Sequence, residues 1–253
     1  MRAPVDTLSA PMIPAALAWV NVASLRMDQQ LGRPVLVEFW DFCRCNSLRT
    51  LPYVRAWHER YAPSGLRVIS VHTGGYPPSQ DAGEVRAAVA RLGIEHPVVI
   101  DAGFGLWREY GNEGWPARYL FDQRLRLYSM HYGEGAYVET ELEICELLGE
   151  TREPLAPLRP EDAPGATLAA QTADQPGPWS GSYEAGGVWA VLERTATPES
   201  PAPAIRVNDR EIAVTHSGCH ALVEHERHTA GELRLEPGDG IVCHAVQFTP
   251  GVA

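Results

Sequence analysis

The chain has no lysine: all 21 of its basic residues are arginine. A Schiff-base lysine and a phosphate-loop lysine are therefore excluded, and two large enzyme classes go with them. Positive charge is scarce as well, 21 basic against 32 acidic residues, for a net charge of −11 and a pI of about 5.3. Such a field repels phosphate backbones and anionic lipid, so no nucleic-acid partner is expected. No apolar run approaches the ~18–20 residues of a membrane span, and no membrane partner is expected. The first 22 residues, with Pro14 interrupting the apolar stretch and Asp6 where an export signal is basic, do not read as a leader. The expected location is cytoplasmic. Cysteine is sparse and odd in number: Cys43, Cys45, Cys145, Cys219 and Cys243. In a reducing compartment these are thiols rather than a disulfide framework.

What remains is 253 residues, enough for one large domain or two small ones with a real core. Composition breaks once, at residues 151–178, which hold six prolines and almost no aromatic or β-branched residue. That segment is a linker or an extended strap. The expected division is an α/β domain over 1–150, the Pro-rich segment over 151–178, and a β domain over 179–253. In the first, Val35–Trp40 reads as a buried central strand. A helix follows, capped by Asn46 or Ser47, with Leu48, Leu51, Val54, Trp57 and Tyr61 on one face and Pro52 inside it. A strand at 66–72, a helix at 83–92, a strand at 97–100, a short helix at 104–110, a hairpin over 119–131 and a helix at 137–148 complete a mixed α/β sheet. After the linker, strands alone are expected, at 188–193, 204–207, 211–215, 220–224, 232–236 and 241–248, in a small jelly-roll-like sandwich.

Chemistry concentrates in Val37-Glu-Phe-Trp-Asp-Phe-Cys-Arg-Cys-Asn-Ser-Leu-Arg-Thr-Leu-Pro52, which continues through Arg49–His58, Asn112–Asp122 and His131–Tyr137. This pattern resembles the thioredoxin-like domain of TlpA- and DipZ-type thiol-disulfide oxidoreductases, over most of residues 10–150. More weakly, Gly240–Gly251 resembles the carbohydrate-module-like domain that follows thioredoxin in DipZ-type proteins. The resemblance implies a thioredoxin fold, no cofactor, and thiols or disulfides of proteins or small molecules as partners. It also implies redox cysteines four and seven residues after Trp40, and those positions are Arg44 and Ser47. The Cys-x-x-Cys is replaced by Cys43-Arg44-Cys45.

A helix N-terminus with Arg44 beside it favours a thiolate, so Cys43 and Cys45 are candidate catalytic sulfurs. They can form a tight disulfide if the helix begins after Cys45, and their side chains diverge if it begins earlier. The opposing reading makes Cys43 a small buried hydrophobe and Cys45 an exposed bystander. The resemblance makes Glu38 the buried acid that relays a proton, although Ser47 stands where the recipient cysteine belongs; alternatively Glu38 is a strand residue turned to solvent. Trp40, Trp115 and Pro116 match substrate-facing positions, Pro116 that of the family's cis-proline. His72, His131, Glu134 and Cys145 read as structural.

In the last domain His216, Cys219, His220, His225, His228, Cys243 and His244 fall within 29 residues. Their spacing lacks a ligand pair and adjacent strand residues face opposite ways, so no metal is expected. Trp179, Tyr183 and Trp189 are either a sugar platform or core aromatics. The leading expectation is a thiol-disulfide oxidoreductase working through Cys43 and Cys45, with Arg44 and Glu38 assisting. A catalytically degenerate binding or scaffold protein is the alternative, and homo-oligomer formation is left open.

Overall fold

The computed structural model describes residues 7–195 and 202–253. Asp6, used above in judging a leader, lies outside them. The chain divides into two compact units, one of Met1–Asp41 and Asn46–Ala156, the other of Phe42–Cys45 and Pro157–Ala253.

The first unit is built on a six-stranded sheet: β1 (Ala18–Val20), β2 (Val35–Trp40), β3 (Arg67–His72), β4 (Val98–Ile100), β5 (Ala117–Phe121) and β6 (Leu127–Tyr132), in the order β1-β4-β3-β2-β5-β6. β2 is central. It runs parallel to β3 and antiparallel to β5, and all six of its residues are buried. Alternation along β2 separates two cores. Val35, Val37 and Phe39 face a cluster with Ile69, Val71, Val99 and Tyr119, while Leu36 lies in a second cluster with Tyr53, Val54, Trp57, Tyr61, Val68 and Tyr137. The helices that cover the sheet are α1 (Cys45–Tyr61), a short α2 (Pro77–Gln80), α3 (Ala82–Arg91), α4 (Gly105–Glu109) and α5 (Tyr137–Leu148). The side chain of Asp81 caps α3 by accepting from the Glu84 N–H at 2.9 Å. Gly149 ends α5 at φ 67°, a left-handed conformation that suits glycine.

Among its described residues the second unit is all β apart from one 3-10 turn at Pro160–Asp162 and the first residue of α1. Its strands are β7 (Leu168–Ala169), β8 (Gln175–Pro176), β9 (Gly181–Arg194), β10 (Ala204–Val207), β11 (Arg210–Ala213), β12 (Gly218–Leu233), β13 (Leu235–Pro237), β14 (Ile241–Thr249) and β15 (Gly251–Val252). A four-stranded sheet, β12-β9-β14-β8, and a three-stranded sheet, β11-β10-β13, share one core in which Val188, Ala190 and Phe248 meet Ile205, Val207 and Leu235. This is a small β-sandwich, with β7 and β15 paired beside it.

Two expectations need revising. Helix α1 starts at Cys45, so neither Asn46 nor Ser47 precedes it as a cap. Strands β9 and β12 are 14 and 16 residues long, because β12 pairs with β9 on both sides of a polar bulge, up to Glu224 and again from Thr229, across two register shifts. Gly186 stays inside β9 since a Cβ there would lie 2.2 Å from the Pro250 carbonyl oxygen. The Pro-rich segment holds β7 and β8, which pair with β15 and β14, and so acts as a strap over that part of its length.

Candidate functional site

Glu38 sits at the middle of β2, on the side that Leu36 occupies two residues earlier. Ser70 is its register partner on β3 and Arg118 its partner on β5. The side chain is fully buried, which excludes the solvent-facing alternative. Its Oε2 accepts from the Ser70 hydroxyl at 2.9 Å, and Ser70 Oγ lies 2.7 Å from His96 Nε2. Burial pushes the Glu38 carboxyl up to about 7, opposed by the Ser70 hydrogen bond and the charge of Arg118. Arg118 is itself buried, its guanidinium 5.6 Å from the ring centre of Trp57 and 5.1 Å from that of Tyr137, with one N–H donated to the Gly135 carbonyl. A carboxyl that changes charge near neutrality has therefore been placed in the sheet directly before the Cys-Arg-Cys turn.

Trp40 closes β2 and is wholly buried, edge-on to His72 at 4.9 Å between ring centres. It serves as packing and offers no surface to a substrate in this conformation. Burial lowers the His72 imidazole to about 3, consistent with a structural histidine. Asp41 follows, also buried. Its Oδ2 accepts from the Gly75 N–H at 2.8 Å, and its own N–H donates to Ser47 Oγ at 3.2 Å. Ser47 thus braces the turn in place of a cysteine. Trp115 is half-buried and stacks against Trp107 at 4.3 Å between ring centres. The Trp115–Pro116 peptide is cis, and the Pro116 carbonyl accepts from the Gly133 N–H at 2.7 Å.

Phe42–Cys45 belongs to the second unit, and its environment there is polar and specific. The Gln247 side chain on β14 accepts the Cys45 N–H at 2.8 Å and donates to the Cys43 carbonyl at 3.2 Å. It thereby satisfies one of the orphan donors at the start of α1. The Cys219 N–H donates to the Phe42 carbonyl at 3.1 Å, and the Cys219 thiol donates to the same Gln247 oxygen at 3.5 Å. All five cysteines are thiols. Cys43 is 0% and Cys45 3% exposed, so the expectation of an exposed Cys45 is not met. The pair is not joined in a disulfide, and α1 begins at Cys45 rather than after it. Arg44 is half-buried and within electrostatic reach of Asp174, whose carboxyl is raised by burial and lowered by its hydrogen bond to the Phe248 N–H and by Arg44.

The other sequence candidates fall to structural roles. The Cys145 thiol donates to Tyr61 Oη at 3.3 Å. His131 bonds the Glu134 carbonyl, and Glu134 pairs with Arg49 at 2.9 Å. His225, His228 and His244 have separate partners, Tyr183, Glu184 and Glu193, and among the described residues no group of three His, Cys, Asp or Glu is placed to hold a metal. Tyr183 is buried and stacks on His225, and Trp179 lies edge-on to Phe248, as core aromatics do. Ser70, His96, Asp41, Arg118 and Gln247 were not singled out from the sequence. Only the polar interruptions of buried strands at Ser70 and Arg118 hinted at them.

The chain is 32% identical over 173 residues to the protein DipZ of Mycobacterium bovis, a match that covers 65% of this chain and 25% of DipZ. It is 26% identical over 142 residues to the thiol-disulfide oxidoreductase YkuV of Bacillus subtilis, covering 56% of this chain and 95% of YkuV. The solution structure of a thioredoxin-like protein in its oxidised form superposes with a TM-score of 0.50 at 26% identity, over 60% of this chain and 98% of that one. The N-terminal domain is a thioredoxin-like domain of the TlpA/DipZ type. The matched part spans about a quarter of DipZ, and no family model matches the chain. Among the described residues no helix is long and apolar enough to cross a membrane.

Proposed function

We propose that the chain is a thiol-disulfide oxidoreductase in which the turn Cys43-Arg44-Cys45 exchanges with disulfides of proteins or small molecules. The observation that carries this reading is the placement of two thiols at the junction of β2 and the N-terminus of α1, five and seven residues after a buried carboxyl that titrates near neutrality. The resemblance to YkuV, a thiol-disulfide oxidoreductase over nearly its whole length, supports the same class of substrate.

In this scheme the thiolate of Cys43 or Cys45 attacks one sulfur of a substrate disulfide. An S–S bond forms to the protein and the other substrate sulfur leaves as a thiolate. The neighbouring cysteine or an external thiol then attacks the mixed disulfide and releases the second substrate thiol. The substrate is reduced by two electrons, supplied by the two cysteines where they close a disulfide with each other, or by one cysteine and the external thiol where that thiol resolves the intermediate and remains joined to the protein as a mixed disulfide. Arg44 stabilises the thiolate, Glu38 exchanges the proton, and Trp115 and Pro116 contact the substrate chain. Both sulfurs are covered in the resting structure, so the hydrogen bonds that Gln247 makes to the turn must open first. The reaction needs no cofactor and belongs in a reducing, cytoplasmic setting.

The test is disulfide reduction by wild type, Cys43→Ser, Cys45→Ser and the double variant. Loss of activity in at least one single variant and in the double is expected. Equal rates in all four would leave a thioredoxin-fold scaffold without exchange chemistry.

A further inference from the structure

Glu38 does not end in an isolated pocket. On its far side from Arg118 the hydrogen-bonded path runs through Ser70 Oγ to His96 Nε2, at 2.9 and 2.7 Å, with every member buried. His96 in turn lines a cavity of about 380 Å³ beside α1, bounded also by Arg55, His58, Glu59, Gly93 and Glu95. Asn21 holds the histidine in place by donating to the carbonyls of Ile94 and His96 at 2.7 and 2.9 Å.

The atoms at the two ends of this path, Glu38 Oε1 and His96 Nδ1, are buried and make no hydrogen bond within the protein. Their isolation limits the directions that the two bonds between them can take. An ionised Glu38 only accepts, so the Ser70 hydroxyl must donate to it, and Ser70 Oγ must accept from His96 in its Nε2–H form. A protonated Glu38 gains most by holding its proton on Oε2, where Ser70 Oγ is available as acceptor, because a proton on Oε1 has none. The Ser70 hydroxyl then points to His96, which must present a bare Nε2 and carry its proton on Nδ1. Each charge state of Glu38 thus has an arrangement in which both bonds of the Glu38–Ser70–His96 path are made, and the two differ by the polarity of the whole path.

We propose that Ser70 and His96 are the proton port of Glu38, carrying a proton between its carboxyl and the cavity at His96 and switching the histidine tautomer as they do so. Inward transfer requires the cavity wall to open to the buried Nδ1; a water then adds a proton there, the Nε2 proton passes to Ser70 Oγ, and the hydroxyl proton passes to Glu38 Oε2. One proton is gained by Glu38, one is lost by solvent, and no electrons move. The imidazole stays neutral in both end states, in keeping with burial and the charges of His58 and Arg55, which lower it to about 3. The other charged groups around the chain are fixed in number. Arg118 faces Glu38 from β5, and Glu139 and Glu143 of α5 lie around Arg118. His58 stands 5.5 Å from His96 between ring centres, itself lowered by burial and by Arg67 and raised by Glu95.

Ser70 and His96 are positioning residues. That the protons so moved serve disulfide exchange rests on the reading above, whereas the port itself does not. The experiment is nitrogen NMR of the imidazoles in the full chain from pH 5.5 to 8.5, with the Glu38 carboxyl carbon followed in parallel. In the wild type the protonated and bare nitrogen signals of His96 exchange places with the same midpoint as Glu38. In Glu38→Gln and in Ser70→Ala the exchange is lost, while Ser70→Thr, which keeps the hydroxyl, restores it. The Cys43→Ser/Cys45→Ser double variant retains the exchange even where disulfide reduction has gone, which separates the two proposals. A His96 that holds one tautomer while Glu38 titrates, a Glu38 that does not titrate in this range, or an exchange that survives in Ser70→Ala overturns the port.

Discussion

Glu38 carries a thermodynamic signature that a surface carboxylate lacks. Its folded-state value is raised from 4.5 to about 7, with burial the largest cause. Between those two values the unfolded chain has released the proton that the native state still binds. The stabilising contribution is therefore complete below pH 4.5 and is lost as the pH climbs through about 7. At about 1.4 kcal/mol per pH unit the loss is roughly 3 kcal/mol. Denaturant unfolding should show the wild type losing about that much stability relative to Glu38→Gln between pH 4.5 and 8; parallel profiles for the two proteins would contradict it. Gln247 is the second residue with a measurable share. Its two bonds to the turn, each worth about 0.5–1.5 kcal/mol, hold the backbone on both sides of Arg44. Gln247→Ala should raise the alkylation rate of Cys43 and Cys45 about tenfold, read by mass spectrometry of the labelled peptides, and an unchanged rate would show that the turn is held closed by something else.

At the scale of elements, α1 concentrates the conflict between local propensity and tertiary packing. Leu51, Val54, Trp57 and Tyr61 are buried at the three- and four-residue steps that made the helix legible, while Pro52 interrupts its backbone ladder from an exposed position. Interior proline costs about 3 kcal/mol relative to alanine, and packing of the apolar face offsets it. Pro52→Ala should stabilise the protein by about 1–3 kcal/mol in thermal unfolding, without change in secondary structure; a lower unfolding midpoint would mean that the proline shapes the helix its neighbours pack against. The start of α1 was less legible, because its first N–H is paired by Gln247, two hundred residues further on, and not by a cap beside it. Long polar strands were hidden for a related reason. Backbone pairing, which leaves no mark on composition, sustains β12 where apolar alternation stops.

Across the whole molecule, apolar periodicity and turn residues carried most of what could be read in advance: the central β2, the order of strands and helices around it, and a second all-β region. The candidate cysteines, Arg44 and Glu38 were legible through motif register. Ser70, His96 and Arg118 were not, because each acquires its meaning from a partner on another strand or loop, and a single polar residue inside an apolar run says nothing of what it will meet. The separate cores, two along the sheet of the first unit and one within the second, follow from the same patterning. The central claim concerns sulfur and can be tested on sulfur directly. The intact protein is mixed with a peptide disulfide, quenched with acid, alkylated and analysed by mass spectrometry. The account predicts a mixed disulfide at Cys43 or Cys45 that accumulates when the other is serine and disappears in the double variant. Peptide attached only at Cys145, Cys219 or Cys243, or at no cysteine, would contradict it.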